Sequence, residues 1–102
     1  MKTKTSTTEE FRLTTKEFRE IASLHDNVNP DMSDWSDEKL LEQSLGSDVG
    51  LDSLDIIDMV AEIEAEYGIH ISSEKFDDMM YPNAREANVQ KFIDVCNACV
   101  LK

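Results

Sequence analysis

An all-α bundle is the fold class this sequence predicts. Two observations lead there: each periodic run of apolar residues repeats at helical spacing, and capping residues bracket those runs. No alternating strand pattern, internal repeat or low-complexity tract competes with that reading. The chain has 102 residues, of which 40% are apolar, which suits one domain with a modest core and no room for a second. Residues 1–8 are expected to form a loose tail and residues 9–102 the domain.

The first helix is expected over Thr15–Asp26. Thr14 can cap it, Glu17 three residues on can complete a capping box, and Leu13 with Phe18 fits a hydrophobic staple. Phe18, Ile21 and Ala22 share one face, with His25 in line. An earlier start near Thr8 would bring Phe11 onto the same stripe. Asn27-Val28-Asn29-Pro30-Asp31 breaks the helix, and a long connection follows. It holds a short helix over Asp37–Ser44, capped by Ser36. Loops of that length in a compact domain tend to be functional.

The clearest helix covers Ser53–Tyr67, with Asp52 as N-cap, Gly68 as the terminating residue and Ile69 available for the contact beyond it. A short helix over Ser73–Met80 is stopped by Pro82. The last helix runs to about Leu101. Its start has two candidates, Asn83 with Glu86 as a capping box, or Asn88 just before the apolar run. Three longer helices and a short one suggest a small helical bundle.

Ser53–Tyr67 separates into faces. Ile56, Met59, Val60, Ile63 and Tyr67 fall on the core side at about 100° per residue. Asp55, Asp58, Glu62 and Glu66 make a second stripe. Leu54, Ile57, Ala61 and Ala65 make a third, on the far side of the acids, which is more apolar surface than burial against one neighbour requires. Asp58/Glu62 and Glu62/Glu66 are like-charge pairs at i,i+4, and no basic residue stands between Lys39 and Lys75. Helix stability does not explain the stripe. It is either a solvated face or a docking face for a basic partner, with apolar residues at its centre and acids at its rim.

The whole chain carries 22 acidic and 10 basic residues, a net charge of −12. Such a surface repels nucleic acid and anionic lipid and attracts proteins with Lys/Arg patches. No apolar run is long enough to span a bilayer and no signal peptide opens the chain, so a cytoplasmic monomer is expected, with no nucleic-acid or membrane partner. Cys96 and Cys99 form a C-x-x-C, but only two histidines exist and both are distant in sequence. With Val89, Phe92, Ile93 and Val100, Cys96 continues an apolar stripe, so core thiols are expected and no metal site. Asp26–Asp37 lacks the ligand spacing of a calcium loop. A serine enzyme would need a base and an oxyanion hole, and nothing near Ser53 in sequence supplies them. No catalytic residue is assigned, and an enzyme is not expected.

Ser53 taken alone would be a helix cap. If Asp52 already caps, the hydroxyl is free, and a phosphodiester there would meet the positive end of the helix. Gly50 permits a tight turn and leaves room for an approaching enzyme.

The run Leu45-Gly46-Ser47-Asp48-Val49-Gly50-Leu51-Asp52-Ser53-Leu54-Asp55 closely resembles the acyl carrier protein pattern, an apolar residue, a spaced acid and apolar residue, then Gly-x-Asp-Ser-Leu-Asp/Glu. The likeness continues through Glu64-Ala65-Glu66-Tyr67-Gly68-Ile69-His70-Ile71, covers about Leu45–Met79, and extends loosely to the first and last helices. The resemblance implies an acyl-carrier-type four-helix bundle with a short third helix and a long connection between its first two helices. It implies that a carrier protein synthase (a phosphopantetheinyl transferase) attaches 4′-phosphopantetheine from coenzyme A to Ser53. The arm would then present acyl groups as thioesters to acyl-transferring and acyl-modifying enzymes with basic patches. Asp52, Leu54, Asp55, Ile57, Asp58, Ala61 and Glu62 would meet those partners, and Met59, Val60, Ile63, Tyr67 and Ile71 would bound any cavity for the acyl chain. Ala61 where a bulky Met is common, Ser72 where Pro is common, His70 where an acid is frequent, and a long stretch over Met80–Asn88 point to a specialised carrier in a fatty-acid, polyketide or lipid-modification pathway. The alternative is an unmodified acidic helical adaptor that binds basic proteins through Ser53–Tyr67.

Overall fold

The computed structural model describes residues 13–99. The N-terminal tail and a first-helix start near Thr8 lie outside the described residues. Within them the order is α1 (Thr15–Ala22), a 3-10 turn (Pro30–Asp34), α2 (Asp37–Glu42), α3 (Ser53–Tyr67), α4 (Ser73–Met79) and α5 (Val89–Asn97). Helices α1, α3, α4 and α5 are the bundle, with α4 short as expected, and α2 rides in the long connection between α1 and α3.

Local sequence chemistry starts each helix. Thr14 accepts from the Glu17 N–H at 3.2 Å while Glu17 accepts from the Thr14 N–H at 2.9 Å, completing the capping box. Leu13 and Phe18 are both buried beside it. Ser36, Asp52, Ser72 and Asn88 cap the other four helices through their side chains. Gly68 closes α3 in the left-handed conformation, φ 68°, donating to the Glu64 carbonyl.

Helices α1, α2 and α5 end earlier than their periodicity predicts; α5 stops at Asn97, short of Leu101, where Ala98 and Cys99 turn back onto Val95 and Cys96 with i→i−3 bonds. α1 stops at Ala22, because Leu24 and His25 turn back onto Ile21 and Ala22 with i→i−3 bonds. α2 stops at Glu42, because Gln43 goes extended to accept from the Val89 N–H at 2.9 Å and Ser44 pairs with Asn88. Asn83 and Asn88 both cap: Asn83 closes a single turn through Glu86, and α5 itself begins after Asn88.

One core holds these elements together. Phe18 of α1 meets Phe92 of α5 edge to face, centroids 5.6 Å apart, with Leu40, Ile56, Met59, Ile63, Ile69 and Met79 fully buried around them. Arg19 pins the long connection to α1, donating to the Met32 and Trp35 carbonyls at 2.7 Å and to Asp37 at 2.9 Å. Cys96 is buried in the same core and Cys99 half-buried; neither is bonded to another cysteine. Burial, with Cys99 nearby, pushes the Cys96 thiol up to about 12, so it packs as a small apolar group.

Candidate functional site

Residues 44–52 form a tight loop that delivers Ser53. Ser44 and Asp48 bond each other reciprocally: the Asp48 carboxylate accepts from the Ser44 N–H and hydroxyl, and the Asp48 N–H donates to Ser44 Oγ. Leu45, Val49 and Leu51 point into the core, and Leu51 N–H returns to the Leu45 carbonyl at 3.0 Å. The alternation of apolar and polar residues in this stretch is therefore the alternation of a folded loop.

Gly50 turns the loop at φ 96°, where an L side chain is strained. Its role differs from the one expected. A Cβ there would stand 2.6 Å from the Asn27 carbonyl oxygen, so the glycine admits the chain's own α1–α2 connection and not an approaching enzyme. Asn29 N–H, bonded to the Val49 carbonyl at 2.7 Å, fixes that approach.

Asp52 caps α3 as predicted. Its carboxylate accepts from the Asp55 N–H at 2.8 Å, and Asp55 reaches back to the Asp52 N–H at 3.1 Å. Ser53 is the first residue of the helix and is exposed, with its hydroxyl not used in the cap.

Along α3 the three faces separate as the periodicity requires. Ile56, Met59, Val60 and Ile63 are buried, and Tyr67 is half-buried at the margin. Leu54 is 70% exposed and Ile57 48%, with Ala61 and Ala65 also in solvent. Asp58, Glu62 and Glu66 are exposed beside them.

Asp55 does not share that open face. Its side chain is held by His25 Nδ1 at 3.2 Å and Asn27 Nδ2 at 3.3 Å as well as by the cap. Burial pushes its carboxyl up, but the hydrogen bonds from Asp52 and Asn27 and the nearby His25 outweigh that and hold it below the usual range. Periodicity shows which face a residue is on, but not that a histidine thirty positions earlier will reach it. Glu64 is a second acid with a hidden partner: it accepts from the Ile71 N–H at 2.8 Å and ties the end of α3 to the following turn. Its place near the negative helix end is thereby compensated. His70 is exposed, as expected of a surface residue.

The core is closed at Met59 and Ile63. Val60 and Ile71 instead line an open groove of about 400 Å³ between α3 and α4, with Ile57, Ala61 and Phe76. A second hollow of about 470 Å³ adjoins Ser53, bounded by Gly46, Gly50, Asp52, Ala84 and Arg85. Arg85 is marked in the sequence only as the one cation between Lys75 and Lys91. It arrives here because the Met80–Asn88 connection folds back on the loop: its carbonyl accepts from the Gly46 and Ser47 N–H groups at 3.2 and 3.0 Å, and Leu45 N–H bonds Ala87.

Among the described residues no group of His, Cys, Asp and Glu could hold a metal ion, and no helix is long and apolar enough to cross a membrane. The phosphopantetheine attachment site family matches residues 34–87, just over half of the chain. An acyl carrier protein homolog of Mycoplasmopsis pulmonis (strain UAB CTIP) is 39% identical over 44 residues, 43% of this chain and 60% of that protein. The chain thus spans less than two thirds of that relative's length. No solved structure matches. On these grounds, and with a helical fold to support them, the chain belongs to the acyl carrier proteins, a family of carriers and not catalysts that bear a covalent 4′-phosphopantetheine.

Proposed function

We propose that Ser53 is the attachment point of the arm and that the protein carries acyl groups on it for a series of partner enzymes. The observation that carries this is the division of labour at the start of α3: Asp52 fills the cap, and Ser53 stands exposed beside it. The residues fit the group. An exposed hydroxyl can be reached by a transferase, the unpaired N–H groups of the first helical turn favour a phosphodiester, and a hollow opens alongside. Bound there, the arm supplies a terminal thiol that holds acyl groups as thioesters.

The chain's own contribution is to present that attachment point. Leu54 and Ile57 offer exposed apolar contacts, with Asp58 and Glu62 at their edge, to the basic patches of a carrier protein synthase and of acyl-handling enzymes. Ala61 leaves this surface shallow. Asp55, being tied to His25 and Asn27, shapes the helix start more than it meets partners. The α3–α4 groove is the place where an acyl chain would find apolar cover, from Ile57, Val60, Ile71 and Phe76. Departures from the commonest pattern at Ala61, Ser72 and the Met80–Asn88 connection support a specialised pathway, in fatty-acid, polyketide or lipid-modification chemistry.

The test is intact-mass measurement after incubation with coenzyme A and a carrier protein synthase. The wild-type chain should gain one phosphopantetheine and Ser53→Ala none. An unshifted wild-type mass, with an exposed α3 face that still binds basic proteins, would favour the unmodified adaptor instead.

A further inference from the structure

The hollow beside Ser53 contains one cation, Arg85, and one carboxylate, Asp52. Asp52 is committed to the cap, so its charge stays where it is. A phosphodiester on Ser53 would add a second negative charge to the same hollow, and that repulsion needs an answer. Arg85 is held in place to give it. Its backbone is bound to Gly46 and Ser47, and the two segments lie so close that a Cβ on Gly46 would stand 2.6 Å from the Arg85 Cα. Its Nε donates to Ser47 Oγ at 3.2 Å, which leaves the two Nη groups for another acceptor.

We propose that Arg85 is a positioning residue for the arm: its guanidinium pairs with the phosphodiester at Ser53 and seats the root of the arm in this hollow. Guanidinium and phosphate match in geometry and charge, and the phosphorus is one bond from the serine oxygen. This rests on Ser53 being the attachment point. The pair offsets the Asp52 charge and limits the directions in which the arm leaves the bundle. The long Met80–Asn88 connection thereby acquires a purpose, since it is the segment that carries Arg85 back to the loop.

Wild-type, Arg85→Ala and Arg85→Lys chains would be loaded from coenzyme A, checked by mass, and compared by phosphorus-31 NMR. The same loaded chain unfolded in urea serves as the reference for a free phosphodiester. Arg85 is exposed and its side chain makes one hydrogen bond, so matching thermal melts should show that the variants fold. The wild-type resonance should be shifted from the unfolded reference at low salt, with the Arg85 Nε–H resonance moving on loading. In Arg85→Ala the ratio of seated to free phosphate should fall about two- to five-fold, the range of an exposed ion pair. Arg85→Lys should keep part of the effect. At ~1 M salt, where screening acts within about 3 Å, wild type should resemble Arg85→Ala. Identical phosphorus resonances in loaded wild type and Arg85→Ala at low salt would overturn the proposal and leave Ser53 as the attachment point. A chain that gains no mass would overturn both readings.

Discussion

The three glycines separate two kinds of backbone demand, and alanine at each measures them. Gly68 is left-handed at φ 68° with nothing within 4 Å of a built Cβ, so Gly68→Ala meets conformational strain alone, about 1–2 kcal/mol. Gly46 is not left-handed, but its Cβ would stand 2.6 Å from the Arg85 Cα, a backbone atom that cannot swing aside. Gly46→Ala therefore meets overlap alone, about 1–3 kcal/mol. Gly50 has both, at φ 96° and 2.6 Å from the Asn27 carbonyl oxygen, so about 2–5 kcal/mol is expected. Alanine also stiffens the unfolded chain, by about 0.4–1 kcal/mol, but equally at all three sites, which leaves the ranking intact. Urea unfolding with a common m-value reads the differences. In a domain of this size each kcal/mol lowers Tm by roughly 4–8 °C. Gly50→Ala no more costly than Gly68→Ala, within about 0.5 kcal/mol, would refute the claim that Gly50 is there to admit the Asn27 backbone.

Asp52→Ala should lower stability by about 1 kcal/mol in urea unfolding through loss of the cap, and slow loading of Ser53 as that hydroxyl is drawn into the cap. Because the Asp55 carboxyl lies below its usual range when folded, its stabilisation is present above the ordinary aspartate pKa of about 3.9 and is lost as pH falls through its folded value. Asp55→Asn should therefore flatten the loss of stability seen in wild type below about pH 4, at a lower plateau, in denaturation series run at stepped pH. Iodoacetamide should label Cys99 in the native protein before Cys96, whose thiol is buried and pushed up to about 12; simultaneous labelling would contradict that burial. Leu54→Ala and Ile57→Ala should leave the melting temperature within a few degrees yet weaken binding to a carrier protein synthase by more than about 1 kcal/mol each, measured by calorimetry.

Much of this was legible in the sequence because it is local. A cap and its third residue are neighbours in the chain, so Thr14/Glu17 and Asp52 could be read directly, as could the core face of α3 from Ile56 to Ile63. Residues with distant partners could not. Asp55 looked like one more member of an acidic stripe until His25 and Asn27 came to it from the preceding connection. Helix ends were overestimated at Ala22 and Glu42 for a related reason: the periodic pattern ran on, while the backbone was claimed by turns and by pairing with Val89. Gly50 was placed correctly in a turn and assigned the wrong neighbour, since spacing reports a glycine's freedom and not what approaches it. Arg85 carried almost no signal, because its meaning depends on a fold-back between segments forty residues apart.

That fold-back also sets an order of events. Gly46 and Ser47 are bonded to a carbonyl some forty positions later, and Gln43 receives the first N–H of α5. The loop before Ser53 is thus completed by chain that leaves the ribosome well after it, and a fragment ending before Arg85 would display the serine on an unfinished turn. A transferase that reads the shape of this loop would in effect test for the returning Arg85–Val89 segment as well, and a chain without it would not pass.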